Sequence, residues 1–127
     1  IAACLLAGYG WLALAGLLGI AGGFAAASPL RDAALHAVFL GFVFSMIFGH
    51  APIIFPAVAK VRIPYHAVFY LPLALLHASV LVRLAADLAT QLALARAAGV
   101  ANALALLVFI LVMVASVVRG RRTAAAT

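Results

Sequence analysis

Four long apolar runs constrain this chain more than any other feature of its sequence. They cover residues 2–27, 32–58, 64–89 and 97–119, and each can cross the roughly 30 Å apolar core of a bilayer as a helix. Hydrophobic residues make up 70% of the 127 residues and charged residues only 8%, well below the roughly 25% charged residues of soluble domains. Because helices satisfy their own backbone inside lipid, the sequence predicts an all-α integral membrane protein, a single four-transmembrane-helix antiparallel bundle in the lipid bilayer.

Short breaks separate the runs. "ASPLRD" and "AKVRIP" each combine proline with charges, and the stretch 83–96 is thinned by polar residues. Such short links favour antiparallel packing of neighbouring helices. The tail 120–127 is expected to be disordered. The "AAAS" at 25–28 imitates a signal-peptide cleavage site, but the run before it exceeds the short apolar core of a signal, so a helix is the preferred interpretation and a processed or anchoring segment is the alternative.

The basic residues predict an orientation. Loops rich in Lys and Arg stay on the cytoplasmic side, which places the 59–63 loop and the C-terminus in the cytoplasm, with a bacterial cytoplasmic membrane as the expected location. The chain has no basic stripe interleaved with aromatic residues, so nucleic-acid binding is not expected. The two sides carry five and three basic residues: Lys60, Arg62, Arg119, Arg121 and Arg122 against Arg31, Arg83 and Arg96.

Motifs for covalent or hydrolytic chemistry are missing from the sequence. The single cysteine, Cys4, has no partner for a disulfide and belongs to no CxxC pair. The two carboxylates, Asp32 and Asp87, are far apart in the sequence, and no Ser/His/Asp arrangement or phosphate-binding glycine loop accompanies them. The sequence therefore leaves open whether the protein is an enzyme.

Four histidines in the two central helices are the most informative polar residues. His36 and His50 lie in the second run, and His66 and His77 lie in the third. At about 100° per residue, the first two return to within about 40° of each other and the second two to within about 20°. Each pair is therefore expected to share a helix face. Polar side chains in a membrane usually face an interior or a cavity, so we predict at least one metal or cofactor site.

The antiparallel order of the two helices suggests how the histidines pair. His36 approaches the depth of His77 and His50 that of His66, with an offset of roughly 10 Å in each case that tilt or kinks would have to close. An iron porphyrin takes axial imidazoles from facing helices of a bundle. These pairings predict one or two b-type haems, with all four histidines as candidate iron ligands.

Two arginines lie near the same membrane surface as the first pair. Arg31 and Arg83 could form ion pairs with the propionates of a haem between His36 and His77. Arg83 also precedes Asp87 by four residues, the spacing of an ion pair within one helix. Both interpretations of Arg83 stay open at this point.

A row of small residues follows another face of the second run. Gly41, Ser45 and Gly49 are spaced four residues apart, a pattern that lets a second helix approach closely. We predict a packing seam there.

The segment "HAVFLGFVFSMIFGHAPIIFPAV" (36–58) resembles the NnrS-like family, haem- and copper-containing multi-helix membrane proteins associated with nitric-oxide stress. More distantly, it is similar to the second helix of haem-copper oxidase subunit I. The resemblance implies His36 as an axial haem ligand, His50 as a second haem or metal ligand, and copper as a further cofactor. Those families have many more helices and a close histidine pair for copper that this sequence lacks, which implies completion by other membrane subunits or further helices.

The sequence thus favours a b-type haem-binding membrane protein for electron transfer or response to a gas such as nitric oxide, within a larger assembly. Two alternatives remain. A cofactor-free accessory subunit would use its small-residue seams to pack against a partner complex. A pigment protein would need only one histidine for each chlorophyll magnesium.

Overall fold

Four helices make up most of the described part of the chain. The computed structural model describes residues 1–24, 27–64 and 66–125, the last four by their backbone alone. Within these ranges there is no strand, and all four helices are long and apolar enough to cross a membrane, which confirms the predicted fold class. Helix α1 comprises Ala2–Leu18 and a π-helical segment, Gly19–Gly23; α2 comprises Pro29–His36, the π-helical segment Ala37–Val43, and Phe44–Ala59; α3 comprises a 3₁₀ turn, Ala67–Phe69, and Tyr70–Leu88; α4 is Leu92–Ala125.

Helix α2 begins three residues before the predicted position 32 because its first turn is capped. The Ser28 hydroxyl accepts a hydrogen bond from the backbone N–H of Arg31 at 3.2 Å, and Pro29 occupies the first helical turn, where its missing N–H has no cost. Asp32 follows in that turn, where a negative charge interacts favourably with the helix dipole.

A tight turn joins α3 and α4. Thr90 adopts a left-handed conformation with φ 54°, and its N–H donates to the carbonyl oxygen of Asp87 at 3.1 Å. Gln91 N–H donates to the carbonyl oxygen of Ala86 at 2.9 Å. Helix α4 starts at Leu92, not at the predicted position 97. The leucines and alanines after the turn are strong helix formers, so the helix begins there although polar residues lower the hydropathy of 83–96.

The C-terminal ends of α1 and α4 differ from the prediction. Helix α4 continues to Ala125, so the expected disorder of the tail 120–127 is wrong as far as that residue, and 126–127 lie outside the described residues. The continuation begins in contact with the rest of the chain, because Gly120 packs against the carbonyl oxygen of Arg62. In α1 the described helix ends at Gly23 instead of 27, after Gly22 takes φ +99°, a conformation that glycine adopts without strain; residues 25–26 are not described.

The small residues of α2 face α1, which confirms the predicted seam. A Cβ atom at Gly41 would overlap the Trp11 side chain, and one at Gly49 would lie 2.9 Å from Cys4 Cβ. Between them, the Ser45 hydroxyl donates to the carbonyl oxygen of Cys4 at 2.7 Å. Close approach of the two backbones therefore depends on the absence of larger side chains along this face of α2.

All four helices contribute to the interior, and Trp11 and Ala15 belong to the part that comes from α1. Leu76 and Val80 of α3 are completely buried, and the rings of Phe48 in α2 and Phe109 in α4 stack with centroids 3.9 Å apart. Large apolar side chains cover the outside, including Ile20 at 86% exposure. An apolar exterior around an apolar core is the arrangement expected for a bundle solvated by lipid.

The charged residues divide between the two ends of the bundle. Both acidic residues, Asp32 and Asp87, belong to the end formed by the start of α2 and the α3–α4 turn; we call it the mixed-charge end. The opposite end, which we call the basic end, carries exposed Lys60, Arg62 and Arg121.

The α1–α2 seam gives a direct test of the packing. Replacing Gly41 by alanine places a methyl group against Trp11 and should lower the free energy of unfolding by about 1–3 kcal/mol, measured by circular dichroism during SDS titration of detergent micelles. Gly10→Ala is the control, because a Cβ there meets no atom within 4 Å. Equal stability of the two variants would contradict the seam.

Candidate functional site

His36 lies where the first α-helical segment of α2 gives way to the π-helical segment. Its Nδ1 is 2.6 Å from the carbonyl oxygen of Asp32, one turn earlier. A carbonyl oxygen only accepts hydrogen bonds, so Nδ1 carries the ring hydrogen and donates it. The other nitrogen of the neutral ring, Nε2, keeps its lone pair, and no described residue forms a hydrogen bond with it.

Asp87 of α3 adds a carboxylate beside the same ring nitrogen. Its Oδ2 is 3.5 Å from His36 Nδ1, and its side chain is only 5% exposed. Arg83 Nε lies 3.0 Å from both oxygens of Asp87, and Arg83 Nη1 donates to the carbonyl oxygen of Ala95 in α4 at 3.1 Å. These three side chains, which we call the His36 cluster (His36, Arg83 and Asp87), therefore join α2, α3 and α4 at the mixed-charge end.

The two arginines predicted near the propionates have different surroundings. Arg83 forms the ion pair with Asp87 that its spacing allows, and its contact with a propionate stays a prediction. Arg31 is exposed at the mixed-charge end, and the described residues provide no hydrogen-bond partner for its guanidinium group. Arg31 is therefore the arginine with more freedom to meet an anionic group.

His50 repeats the hydrogen bond of His36 in the last segment of α2. Its Nδ1 is 2.7 Å from the carbonyl oxygen of Met46, again one turn earlier, so Nδ1 carries the hydrogen. The side chain is half-buried, and no described residue forms a hydrogen bond with Nε2. His50 therefore also presents a lone pair on Nε2.

His66 and His77 have the opposite hydrogen bonding. His66 Nδ1 accepts from the backbone N–H of Val68 at 3.1 Å, at the start of α3. His77 Nδ1 accepts from Trp11 Nε1 at 2.7 Å, and the two rings lie 16° from parallel. A neutral imidazole that accepts at Nδ1 carries its hydrogen on Nε2. Neither histidine offers an Nε2 lone pair in this arrangement.

The structure does not bring His36 and His77 together. His36 is level with Asp87, which lies ten residues after His77, or about 15 Å farther along α3. The offset between the depths of these two histidines is therefore larger than the roughly 10 Å that the sequence predicted.

The pairing of His50 with His66 stays a prediction. Ile63 and Phe69, on either side of His66, line one cavity together with Gly49 and Pro52 of α2. The chain around His66 therefore runs alongside the part of α2 that contains His50.

The π-helical segment Ala37–Val43 also changes the relation between His36 and His50. A π turn holds about one residue more than an α turn, so it rotates the following helix by about 100° relative to a regular α-helix. The expectation that the two histidines share one face is therefore wrong. His36 lies beside Asp87 of α3, whereas no carboxylate of the described residues lies within ion-pair distance of His50.

Two partners of the histidines were not foreseen from the sequence. Trp11 is the only tryptophan and lies in the middle of α1, and a buried indole N–H usually finds an acceptor. That rule would have pointed to a polar group opposite Trp11. The sequence indicates Asp87 only as a partner of Arg83, although a buried carboxylate in a membrane helix commonly has several polar neighbours.

Metal sites with several protein ligands are not found among the described residues, because no three His, Cys, Asp or Glu side chains come together there. Zinc and copper sites take three or four such ligands. A haem needs only one or two axial ligands. The isolated histidines therefore fit an axial role better than a copper or zinc site.

Comparison with known proteins gives a family. Residues 1–118 match the model of a family that is described as "Domain of unknown function (DUF8744)". The chain belongs to the DUF8744 family. No curated protein and no solved structure matches it, and the resemblance to the NnrS-like family stays a prediction.

Removal of the carboxylate tests the His36 cluster. Asp87→Asn leaves Arg83 without its counterion and should lower the free energy of unfolding by roughly 3 kcal/mol, at the low end for a buried pair because the arginine side chain is 20% exposed. Asp32→Asn, at an exposed first-turn position, should cost at most about 1 kcal/mol. SDS titration followed by circular dichroism measures both variants, and a similar loss in both would contradict the cluster.

Proposed function

We propose that this DUF8744 domain binds b-type haem through His36 and His50 and serves electron transfer or response to a gas such as nitric oxide. One observation carries the proposal: each of these imidazoles donates its Nδ1 hydrogen to a backbone carbonyl. An axial histidine binds iron through a lone pair on one nitrogen, and a hydrogen bond on the other fixes the ring. His36 and His50 of α2 both meet that requirement, because a carbonyl oxygen of this chain already accepts the hydrogen bond from Nδ1.

His36 fits the requirement best. Histidine ligands of metals commonly donate their second N–H to a carbonyl or a carboxylate, which orients the ring and increases its basicity. His36 has the carbonyl oxygen of Asp32 at 2.6 Å and the carboxylate of Asp87 at 3.5 Å. Arg83 in turn orients that carboxylate. The His36 cluster would therefore hold the imidazole in one orientation when Nε2 binds iron.

The other two histidines have different roles in the proposal. His66 caps the start of α3, and His77 accepts from Trp11, so each would have to lose a hydrogen bond before Nε2 could bind iron. We therefore replace the pairing of His36 with His77 by two separate sites, in which His36 would hold one haem and His50 would hold the other. Any second ligand to either iron would come from a partner.

The presence or absence of a second protein ligand to the iron would distinguish the two proposed activities. Haem supplies one-electron exchange or a binding site for a small gas. A second histidine from another subunit or helix would favour electron transfer, and an open position would favour gas binding. A copper ion would need further ligands beside His50, and these would also come from a partner.

The proposed setting is a bacterial cytoplasmic membrane, with other membrane subunits completing the assembly. Five basic residues lie on the side of the basic end and three on the other, and the excess of Lys and Arg marks the cytoplasmic side. We therefore place the α2–α3 loop and the C-terminus in the cytoplasm.

Single cysteines test this orientation in intact cells. In a Cys4→Ala background, Thr90→Cys should react with a membrane-impermeant maleimide because the α3–α4 turn would face outward, whereas Lys60→Cys should react only after lysis. Both positions are exposed. Labelling of Lys60→Cys but not of Thr90→Cys in intact cells would contradict the proposed topology and indicate the opposite orientation.

The haem proposal is tested by optical spectra of purified protein expressed with adequate haem supply. The purified protein should contain one or two irons per chain and show a reduced-minus-oxidised difference spectrum of haem. His36→Ala and His50→Ala should each remove the haem that the deleted imidazole holds, because each substitution deletes an axial lone pair.

His66→Ala and His77→Ala are the matched controls and should keep the haem content. Loss of haem in these two variants but not in His36→Ala or His50→Ala would contradict the assignment. A wild-type protein without iron and without visible absorption would instead favour the cofactor-free accessory subunit, and red absorption with magnesium would favour the pigment protein.

A further inference from the structure

Two side chains at the middle of the bundle contain buried polar atoms that the described residues leave without hydrogen bonds. The atoms are His77 Nε2 and both polar atoms of the Asn102 amide. Asn102 is only 4% exposed. A buried donor or acceptor without a partner costs about 1–3 kcal/mol, and the bilayer core has no bulk water to compensate. These atoms therefore require a small partner inside the bundle.

The two side chains lie at the same depth. His77 is thirteen residues before Thr90 in the α3–α4 turn, and Asn102 is twelve residues after it. The hydrogen bond from Arg83 Nη1 to the carbonyl oxygen of Ala95 fixes the register of the two antiparallel helices. At about 1.5 Å per residue, both side chains lie about 18–20 Å from the turn, near the centre of the membrane.

The hydrogen-bonding groups are complementary. Trp11 donates to His77 Nδ1, so the neutral ring carries its hydrogen on Nε2 and can donate there. The Asn102 amide provides an acceptor and two donor hydrogens. Next to Asn102 on the buried face of α4 lie two small residues, Ala98 at 3% and Ala105 at 0% exposure. Small neighbours leave the amide accessible from within the bundle.

We propose that His77 and Asn102, with Trp11 holding the His77 ring through Nδ1, form a binding site for one ordered water molecule at the centre of the membrane. The water accepts a hydrogen bond from His77 Nε2–H and donates one to the Asn102 carbonyl oxygen. Buried waters in proteins typically make about three hydrogen bonds to polar groups that otherwise lack partners. This chain of bonds links α1, α3 and α4, and it is independent of the haem proposal because it uses neither His36 nor His50.

Water-edited solid-state NMR of the full chain in lipid bilayers, with ¹⁵N-labelled histidine, tests the proposal. Magnetisation should pass from water to the Nε2–H of His77. Asn102→Leu should reduce this transfer at least several-fold, because the water loses its acceptor while the helix keeps a strong helix former. Ser116→Ala, which changes another buried polar side chain of α4, should leave the transfer unchanged. Circular dichroism confirms that both variants remain helical.

Three results would overturn the water site. The first is transfer that persists in Asn102→Leu. The second is a wild-type Nε2–H with no transfer from water and a scalar coupling to the Asn102 amide carbonyl, which indicates a direct hydrogen bond between the side chains. The third is a His77 ring that carries its hydrogen on Nδ1, which the Trp11 hydrogen bond does not allow. None of these results depends on whether haem binds.

Discussion

The hydrogen bond at Nδ1 determines what each histidine of this chain can do. A carbonyl oxygen accepts from His36 and from His50, so their Nε2 atoms keep lone pairs. An N–H group donates to His66 and to His77, so their Nε2 atoms carry hydrogens. Four histidines that look equivalent in the sequence therefore divide into two candidate ligands on α2 and two hydrogen-bonding side chains on α3 and before it. The proposed haem sites and the proposed water site both follow from this division.

The bundle supports this division by placing its polar groups at separate depths. The His36 cluster lies at the mixed-charge end, where Asp87 balances Arg83 and borders His36. Trp11 and His77 meet near the centre, between α1 and α3. Because most buried side chains among the described residues are apolar, a polar side chain has few partners, and each hydrogen bond constrains the ring it holds. The seam between α1 and α2 contributes by bringing Trp11 close to the core.

Most of the fold could be predicted from the sequence, since hydrophobic runs of membrane length have few alternatives. The spacing of Gly41, Ser45 and Gly49 also predicted a close helix contact correctly. Helix ends were less predictable, because the Ser28 cap and the Thr90 turn depend on local hydrogen bonds rather than on hydropathy. The relation between His36 and His50 could not be predicted, because the spacing of the two residues specifies a shared face only in a regular helix and the π-helical segment between them changes the rotation.

The candidate site was only partly predictable for a similar reason. Composition and position identify the four histidines, but the donor or acceptor at each Nδ1 comes from another turn or another helix. The Trp11–His77 hydrogen bond joins residues that are 66 positions apart, and no local pattern encodes it. The contact between His36 and Asp87 depends on how α2 packs against α3, which a single sequence does not specify.

The central claim is tested most directly by ¹⁵N NMR chemical shifts of the four imidazoles in the haem-free protein in bilayers, assigned by single histidine substitutions. The account predicts hydrogen on Nδ1 for His36 and His50 and on Nε2 for His66 and His77. Hydrogen on Nε2 of His36 or His50 would contradict it, because that ring would have no free lone pair at the nitrogen proposed to bind iron.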